Sequence, residues 1–246
     1  MQLTVLGSSG SHPGPDSACS SYLLTHEDFR LLIDLGNGAL GELQKHVDPR
    51  DIDAIFVSHL HGDHWLDLVP LSHTRRHHPD GRVPPPVPLI TPVGERARIA
   101  GAFGRPESTL DDVFVLDDPS DTTIGPFDIA VRRTQHPVET FAVRVSSSGK
   151  SLVYTADTGP FSELAHFAQG ADLLLAEAGF LDGVDNPPDV HLTASQAGQL
   201  AKDAGVNRLV VTHVAPWHDA DRQRDAAAEV FGARTDLAKP GRIFVL

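Results

Sequence analysis

The stretch VSHLHGDHWLD, residues 57–67, places four potential metal ligands within six positions, at the end of the apolar run 55–57. The four are His59, His61, Asp63 and His64. Imidazole and carboxylate groups bind zinc, iron and manganese ions. Neighbouring side chains at a strand-to-helix turn point in different directions, so the stretch can serve two ions. The alternative is a polar turn that happens to be rich in histidine, and the rest of the chain decides between the two.

The composition is that of an ordinary globular protein. The chain has 246 residues, 40% of them hydrophobic, and a formal net charge of −13. An acidic chain is a poor general binder of polyanions, which disfavours nucleic acid as a partner. A small anionic substrate stays compatible, because bound metal ions can supply local positive charge.

The single cysteine and the first residues indicate the compartment. Cys19 cannot form a disulfide within a monomer, which is typical of a reducing environment. The start, MQLTVLG, lacks the basic flank and long apolar stretch of a signal peptide. No segment approaches the roughly 20 apolar residues that span a membrane. We therefore expect a soluble, cytoplasmic protein without membrane contacts.

Short apolar strands alternate with fewer helices along the chain, which predicts a single α/β domain over residues 1–246. Helices are predicted over 94–103, 161–168, 193–204, where Thr193 opens a capping box, and 220–231. Strands are predicted over 3–6, 21–24, 30–34, 54–58, 87–90, 113–116, 127–134, 140–146, 151–155, 173–176, 208–212 and 242–245.

Further candidate ligands follow the predicted strands. His136, Asp157 and His213 each come just after an apolar strand, and His191 precedes the helix cap Thr193. Active sites of layered α/β folds usually lie at strand ends, so we expect these side chains to meet.

The order HxHxDH, His, Asp, His resembles the metallo-β-lactamase superfamily over nearly the whole chain, including Asp34 in LLIDLGNG. The resemblance implies a four-layer αββα sandwich with the site along one edge of the two sheets. It implies two divalent ions, with zinc as the preferred ion and manganese or iron(II) as alternatives. It also implies their ligands: His59, His61 and His136 for one ion, Asp63, His64 and His213 for the other, and Asp157 as a bridge.

Several segments resemble the RNase Z-like phosphodiesterase branch, namely LGSSGSHPGPDSACSSYLL and VHLTASQAG. True zinc β-lactamases carry a cysteine where this chain has Asp157. Only 21 positions separate His136 from Asp157, which leaves no room for the tRNA-gripping arm of tRNA-processing enzymes. The segments GPDSACSSYLL, RRHHP, HPVETFAVRV and the HLT of residues 191–193 are most similar to actinobacterial atypical class II cyclic-nucleotide phosphodiesterases.

The implied reaction is hydrolysis of a small anionic phosphodiester, such as a 3′,5′-cyclic nucleotide, by a hydroxide shared between the two ions. Asp63 would orient the nucleophile or accept its proton, and His191 would stabilise the phosphoryl oxygen or protonate the leaving alkoxide. By position alone, Ser58, Asp34 and Thr212 would fix imidazole tautomers.

Other functions stay open at this point: tRNA 3′-end processing, hydrolysis of esters, lactones or thioesters, and a binding module that has lost catalysis. A homodimer also stays open. The run Arg75–His78 has two explanations, a phosphate-contacting patch or a solvated helix end. The loop Ser8–Gly10 is either a phosphate contact or a tight turn.

Overall fold

Two β-sheets lie face to face in the computed structural model, which describes residues 1–92, 94 and 96–246. The first sheet contains β1 (Gln2–Ser9), β2 (Ala18–Cys19), β3 (Ser21–His26), β4 (Phe29–Leu35), β5 (Ala54–Phe56), β6 (Val87–Ile90), β7 (Phe114–Asp117) and β15 (Ile243–Val245). The second contains β8 (Thr122–Ile124), β9 (Phe127–Arg133), β10 (Phe141–Ser147), β11 (Lys150–Tyr154), β12 (Leu173–Glu177), β13 (Leu209–Thr212) and β14 (Thr235–Leu237). The strand orders are β15-β1-β3-β4-β5-β6-β7, with β2 paired to β1, and β14-β13-β12-β11-β10-β9-β8.

Helices cover the outer face of each sheet. The first sheet carries α1 (Ala39–Leu43), α2 (Gly62–Trp65), α3 (Leu68–His77) and α4 (Arg96–Phe103). The second carries α5 (Ser162–Phe167), α6 (Ala194–Ala204) and α7 (Ala220–Phe231). Short 3₁₀ turns lie at Pro49–Asp51 and Glu107–Thr109. This is the predicted αββα arrangement, and the fold prediction is confirmed. Among the described helices, none combines the length and the apolar character needed to cross a bilayer.

The alternation of side chains along each strand produces three apolar layers. In β11, Leu152 and Tyr154 face the core between the sheets, whereas Val153 packs against the helices. In β4, Leu31 and Ile33 face inward and Leu32 faces the helices on the other side. Because successive side chains of a strand point to opposite faces, a strand covered on both faces must be apolar throughout. This is why the predicted strands are continuous apolar runs.

The elements with strong local signals occur where they were predicted. Thr193 caps α6 through a complete capping box, and the strands predicted over 140–146 and 151–155 form the hairpin β10–β11, which turns at Ser148 and Gly149. The predicted helix over 94–103 is observed from Arg96, and Glu95 lies outside the described residues. The extent of α3 was not predicted, although a helix end at Arg75–His78 was one of two explanations of that run; Arg75 occupies a buried position where a helix would normally carry an apolar side chain.

Gly36, directly after β4, lets the chain pass close to the segment that carries Asp63. A Cβ atom at Gly36 would lie 2.0 Å from the backbone carbonyl oxygen of Asp63 and 2.6 Å from Cβ of Cys19. Both neighbours belong to backbone or to a buried side chain, so neither can move aside cheaply. The position therefore requires glycine for space.

We expect Gly36→Ala to lower the free energy of unfolding by about 1–3 kcal/mol, because the added methyl group overlaps a fixed backbone. The matched control is Gly41→Ala in α1, where an added Cβ meets nothing within 4 Å. Alanine favours a helix more than glycine, so the control should be neutral or slightly stabilising. Urea unfolding of the three proteins measures the difference, and equal stability of the two variants would contradict the steric requirement.

Candidate metal centre

The predicted site residues follow strands that end at one edge of the sandwich. Strands β9 and β11 are both antiparallel to β10, so they run in the same direction, and β12 and β13 are parallel to β11. Their carboxyl ends therefore share an edge. In order along the chain, this edge receives His59 and His61 after β5, Asp63 and His64 in α2, His136 after β9, Asp157 after β11 and His213 after β13.

Three imidazoles form the first half of the site. Nδ1 of His61 lies 3.1 Å from Nε2 of His59 and 3.0 Å from Nε2 of His136. With a carboxylate oxygen of Asp157, these ligand atoms all lie within 4.8 Å of one another. A divalent ion among these three nitrogens would be favoured, because a single ring proton cannot make a well-directed hydrogen bond to both partners of His61 Nδ1.

The second half contains Asp63, His64 and His213, whose ligand atoms also lie within 4.8 Å of one another. Oδ2 of Asp63 is 3.7 Å from Nε2 of His64 and 3.8 Å from Nε2 of His213. Asp157 lies between the halves, 3.6 Å from Nε2 of His59 and 3.3 Å from Nε2 of His64. The structure thus brings together all seven residues that the sequence nominated as ligands.

A buried carboxylate orients two of these rings. Oδ2 of Asp34 accepts hydrogen bonds from Nδ1 of His64 at 2.7 Å and from the hydroxyl of Ser58 at 3.0 Å. Since the Ser58 proton goes to Asp34, its oxygen can accept from Nδ1 of His59, 3.1 Å away. Tyr154 of the second sheet donates to the same carboxylate at 2.9 Å. Both histidines therefore keep Nε2 free to face the site.

Other partners orient the remaining rings. Nδ1 of His136 donates to the carbonyl of Val190 at 2.8 Å, and Nδ1 of His213 lies 2.9 Å from the hydroxyl of Ser20. In both rings Nδ1 is thus engaged, and Nε2 faces the site. Asp63 is held by the backbone amide of Ser11, which donates to Oδ2 at 2.7 Å.

The donor set fits divalent metal ions. Nε2 of His64 and Oδ1 of Asp157 are buried and make no hydrogen bond within the described structure, although each is a strong polar group. Burial and the neighbouring His64 lower the pKa of His59 well below its usual value, which favours the neutral ring that binds metals. Burial lowers the pKa of His64 too, but the charges of Asp157 and Asp34 outweigh this effect and raise it. The two carboxylates thus favour a positive charge at this position.

His191 lies over both halves. Its ring is 5.5 Å from those of His136 and His213, and its Nδ1 donates to Glu177 at 2.9 Å. Burial lowers the pKa of His191, but the Glu177 carboxylate more than compensates and raises it to about 9. Glu177 is fully buried and also accepts from the amides of Thr158 and Gly179. This pair can present a proton to a group bound over Asp157.

Sequence reasoning missed Glu177, Tyr154 and Ser20 as supporting residues. Glu177 had a detectable signal, because it is an acidic residue at the end of the otherwise apolar strand LLLAE. Tyr154 and Ser20 reach partners on the opposite sheet, and no spacing along the chain reveals such contacts. Thr212, nominated to fix a tautomer, instead pairs with the hydroxyl of Tyr22 at 2.6 Å.

Two minor candidates have internal roles. The run Arg75–His78 lies at the end of α3, as one of its two explanations predicted, and His77 is exposed there. Arg75 itself is buried and donates to the carbonyls of Arg50 and Pro85, so its guanidinium is already used within the protein. In the loop Ser8–Gly10, the hydroxyl of Ser8 donates to the carbonyl of Ala238. The amide of Gly10 donates to the carbonyl of Val214. These groups are therefore already used within the protein.

Known proteins are similar to this chain in sequence and in fold. The family model described as the β-lactamase superfamily domain matches residues 29–214. The uncharacterized protein Rv1339 of Mycobacterium tuberculosis is 40% identical, covering 88% of this chain and 82% of its own. The probable metallo-hydrolase YhfI of Bacillus subtilis is 31% identical over 99% of both chains. Ribonuclease Z of Methanopyrus kandleri is 27% identical, over 92% of this chain and 91% of its own.

Solved structures are similar to this chain in fold over nearly its whole length. The crystal structure of YhfI matches with a TM-score of 0.91 and 29% identity, covering 99% of this chain and 98% of that one. Human tRNase Z, short form, has a TM-score of 0.78 and 23% identity, over 100% and 99% of the two chains. A diphosphatase of the PhnP family has a TM-score of 0.76 and 20% identity, over 100% and 97%. The last two show the fold alone.

The chain belongs to the β-lactamase superfamily. Its family, together with the His/Asp cluster, defines it as a metallo-hydrolase whose cluster suits divalent metal ions. The predicted superfamily is confirmed, and so is the presence of RNase Z-like relatives.

We expect Asp34→Asn to weaken metal binding by about 10- to 100-fold, because it removes the charge that holds His64 and, through Ser58, His59. Metal titration with a competing chelator measures the affinity. The matched control is Asp53→Asn, an exposed carboxylate that accepts a hydrogen bond from the Arg30 amide. Equal affinities of the two variants would contradict the orienting role of Asp34.

Removing bound metal should lower the melting temperature, because the clustered carboxylates and imidazoles lose the charge that holds them together. Thermal unfolding with and without EDTA, followed by addition of zinc, measures the shift. Asp157→Ala should largely lose the response, since Asp157 contacts both halves of the site. A melting temperature indifferent to EDTA in metal-loaded protein would rule out a stabilising ion.

Proposed function

We propose that this chain is a dinuclear metal-dependent phosphodiesterase acting on small phosphodiesters such as 3′,5′-cyclic nucleotides. The observation that carries the proposal is the Glu177–His191 pair, whose imidazole lies over two adjoining His/Asp clusters joined by Asp157. The proposed ligands are His59, His61 and His136 for one ion, Asp63, His64 and His213 for the other, and Asp157 for both.

Two divalent ions, zinc or alternatively manganese or iron(II), would supply Lewis-acid charge for the phosphoryl oxygens and a nucleophile at neutral pH. The chain positions the other reacting groups. Asp63, anchored through one oxygen to the Ser11 amide, orients the attacking water and takes up its proton. His191 gives a proton to the leaving alkoxide as the P–O bond breaks, and Glu177 stabilises the positive ring before transfer.

A small substrate is favoured over RNA. The span between His136 and Asp157 is filled by β10 and β11, joined by a tight turn, so it carries no nucleic-acid-gripping arm. The net charge of −13 also disfavours a polyanion. Phosphoester chemistry is supported by the likeness to ribonuclease Z and by the resemblance of GPDSACSSYLL and HPVETFAVRV to cyclic-nucleotide phosphodiesterases.

The decisive experiment offers metal-loaded protein three substrates in parallel: 3′,5′-cyclic AMP, a pre-tRNA with a 3′ trailer, and a lactone. Asp157→Ala serves as the blank. Turnover of cyclic AMP that disappears in the variant is the expected result. Trailer cleavage without cyclic AMP hydrolysis would replace the proposal by tRNA processing, and lactone opening alone would replace it by carbon-ester hydrolysis.

We expect His191→Ala to lower kcat on cyclic AMP by about 10²- to 10⁴-fold, because the leaving group loses its proton donor. Metal content should stay at the wild-type value, since His191 is not a proposed ligand. The matched control is His166→Ala, an exposed histidine on α5, which should leave both quantities unchanged. Normal turnover by His191→Ala would overturn the assignment.

A further inference from the structure

An exposed indole lies shortly after a proposed ligand. Trp217 is 63% exposed and follows His213 by four residues. Of the exposed large apolar side chains in the described part of the chain, it is the aromatic one. A single exposed apolar side chain is common on protein surfaces, so its significance depends on what holds it and where it lies.

Neighbouring histidines hold the indole in place. Its ring centroid is 5.2 Å from that of His12, with 47° between the planes, and its Nε1–H donates to Nε2 of His218 at 3.1 Å. The amide of His218 in turn donates to the carbonyl of Ala215. The polar edge of the indole is thus satisfied within the protein, while most of its surface stays open to solvent. An oriented ring with an open surface is ready for stacking.

The loop that carries His12 rests on the metal centre. The amide of Ser11 donates to Asp63 at 2.7 Å, and the amide of Gly10 donates to the carbonyl of Val214. A Cβ atom on Gly10 would lie 2.9 Å from Cδ2 of His213, so this loop passes directly against that ring. Both partners of the His12–Trp217 pair therefore extend from segments that contact or contain proposed ligands. His12 directly follows Ser11, whose amide binds Asp63, and Trp217 is four residues from His213, so the chain brings both rings toward the half of the site formed by Asp63, His64 and His213.

We propose that Trp217, backed by His12, is the platform on which the base of a nucleotide substrate stacks while its phosphodiester occupies the metal centre. This inference rests on the proposed function and specifies its substrate class as phosphodiesters that carry a planar base. Stacking on an aromatic ring tolerates every base, because each base has a π face. The platform therefore selects for a nucleotide and leaves the identity of the base to other contacts.

The kinetic test compares cyclic AMP with ribose 3′,5′-cyclic phosphate, which has the same cyclic diester and no base. In Trp217→Ala the preference for cyclic AMP, as the ratio of the two kcat/KM values, should fall by roughly 10- to 100-fold. Trp217→Phe keeps an aromatic face and should retain most of the preference. Trp217→Leu keeps apolar bulk without that face and should resemble the alanine variant. The control is Val115→Ala, an exposed side chain on β7, which should leave the ratio unchanged.

A binding measurement provides a readout independent of turnover. The chain has two tryptophans, and Trp65 is buried, so AMP stacking on metal-loaded protein should quench chiefly Trp217 fluorescence. Quenching should disappear in Trp217→Phe, and inorganic phosphate should not cause it in the wild-type protein.

The outcomes separate the two proposals. An unchanged preference in Trp217→Ala, full retention by Trp217→Leu, or quenching that persists in Trp217→Phe would overturn the platform while leaving phosphodiester hydrolysis intact. If wild-type protein hydrolyses neither cyclic diester, the proposed function fails. AMP quenching then shows on its own whether Trp217 binds a base.

Discussion

The carboxylate of Asp34 is the constraint on which the site depends. It is fully buried, and it accepts hydrogen bonds from the end of β5, from α2 and from Tyr154 on the opposite sheet. A buried carboxylate left without these donors would be costly, so the three elements stay in register with one another. Through Ser58 and directly, the same group fixes the rings of His59 and His64. One residue therefore couples sheet packing to ring orientation.

Backbone conformation at the site follows the same logic. Asp34, Ala156 and His213 adopt positive φ angles of 55°, 50° and 54°, each at the carboxyl end of a strand or just beyond it. Such conformations cost about 1–3 kcal/mol each in residues other than glycine. They persist because the surrounding hydrogen bonds and packing determine the path of the chain. The positive φ angles at Ala156 and His213 turn the chain at the edge of the second sheet. Asp157 and His213 there meet the histidines carried by the first sheet.

The architecture was predictable because each apolar run is a local signal. The clustered residues were predictable because they occur in a fixed order along the chain. Apolar runs predicted the long strands, and ligand types after strand ends predicted where His136, Asp157 and His213 would meet. The short strand β2 and the short helix α2 carried too few residues for a period to be detected. Tyr154 escaped because its partner Asp34 lies 120 residues away along the chain and on the other sheet. Glu177 left a signal, as an acidic residue that ends an apolar strand, but this signal does not identify His191 as its partner. The substrate escapes for another reason, since one metal centre can polarise several kinds of ester.

The division of the site between two sheets also has a consequence for synthesis on the ribosome. His59, His61, His136 and Asp157 all precede α5, so the first group of donors is complete three residues after the end of β11. The second group must wait for His213, which is made only after β13. The first sheet waits longer still, because its edge strand β15 follows β13 and β14 in the chain. The donors of the first group are therefore all synthesised before the second group is complete, so the order of translation fixes the order in which the two sets of donors become available.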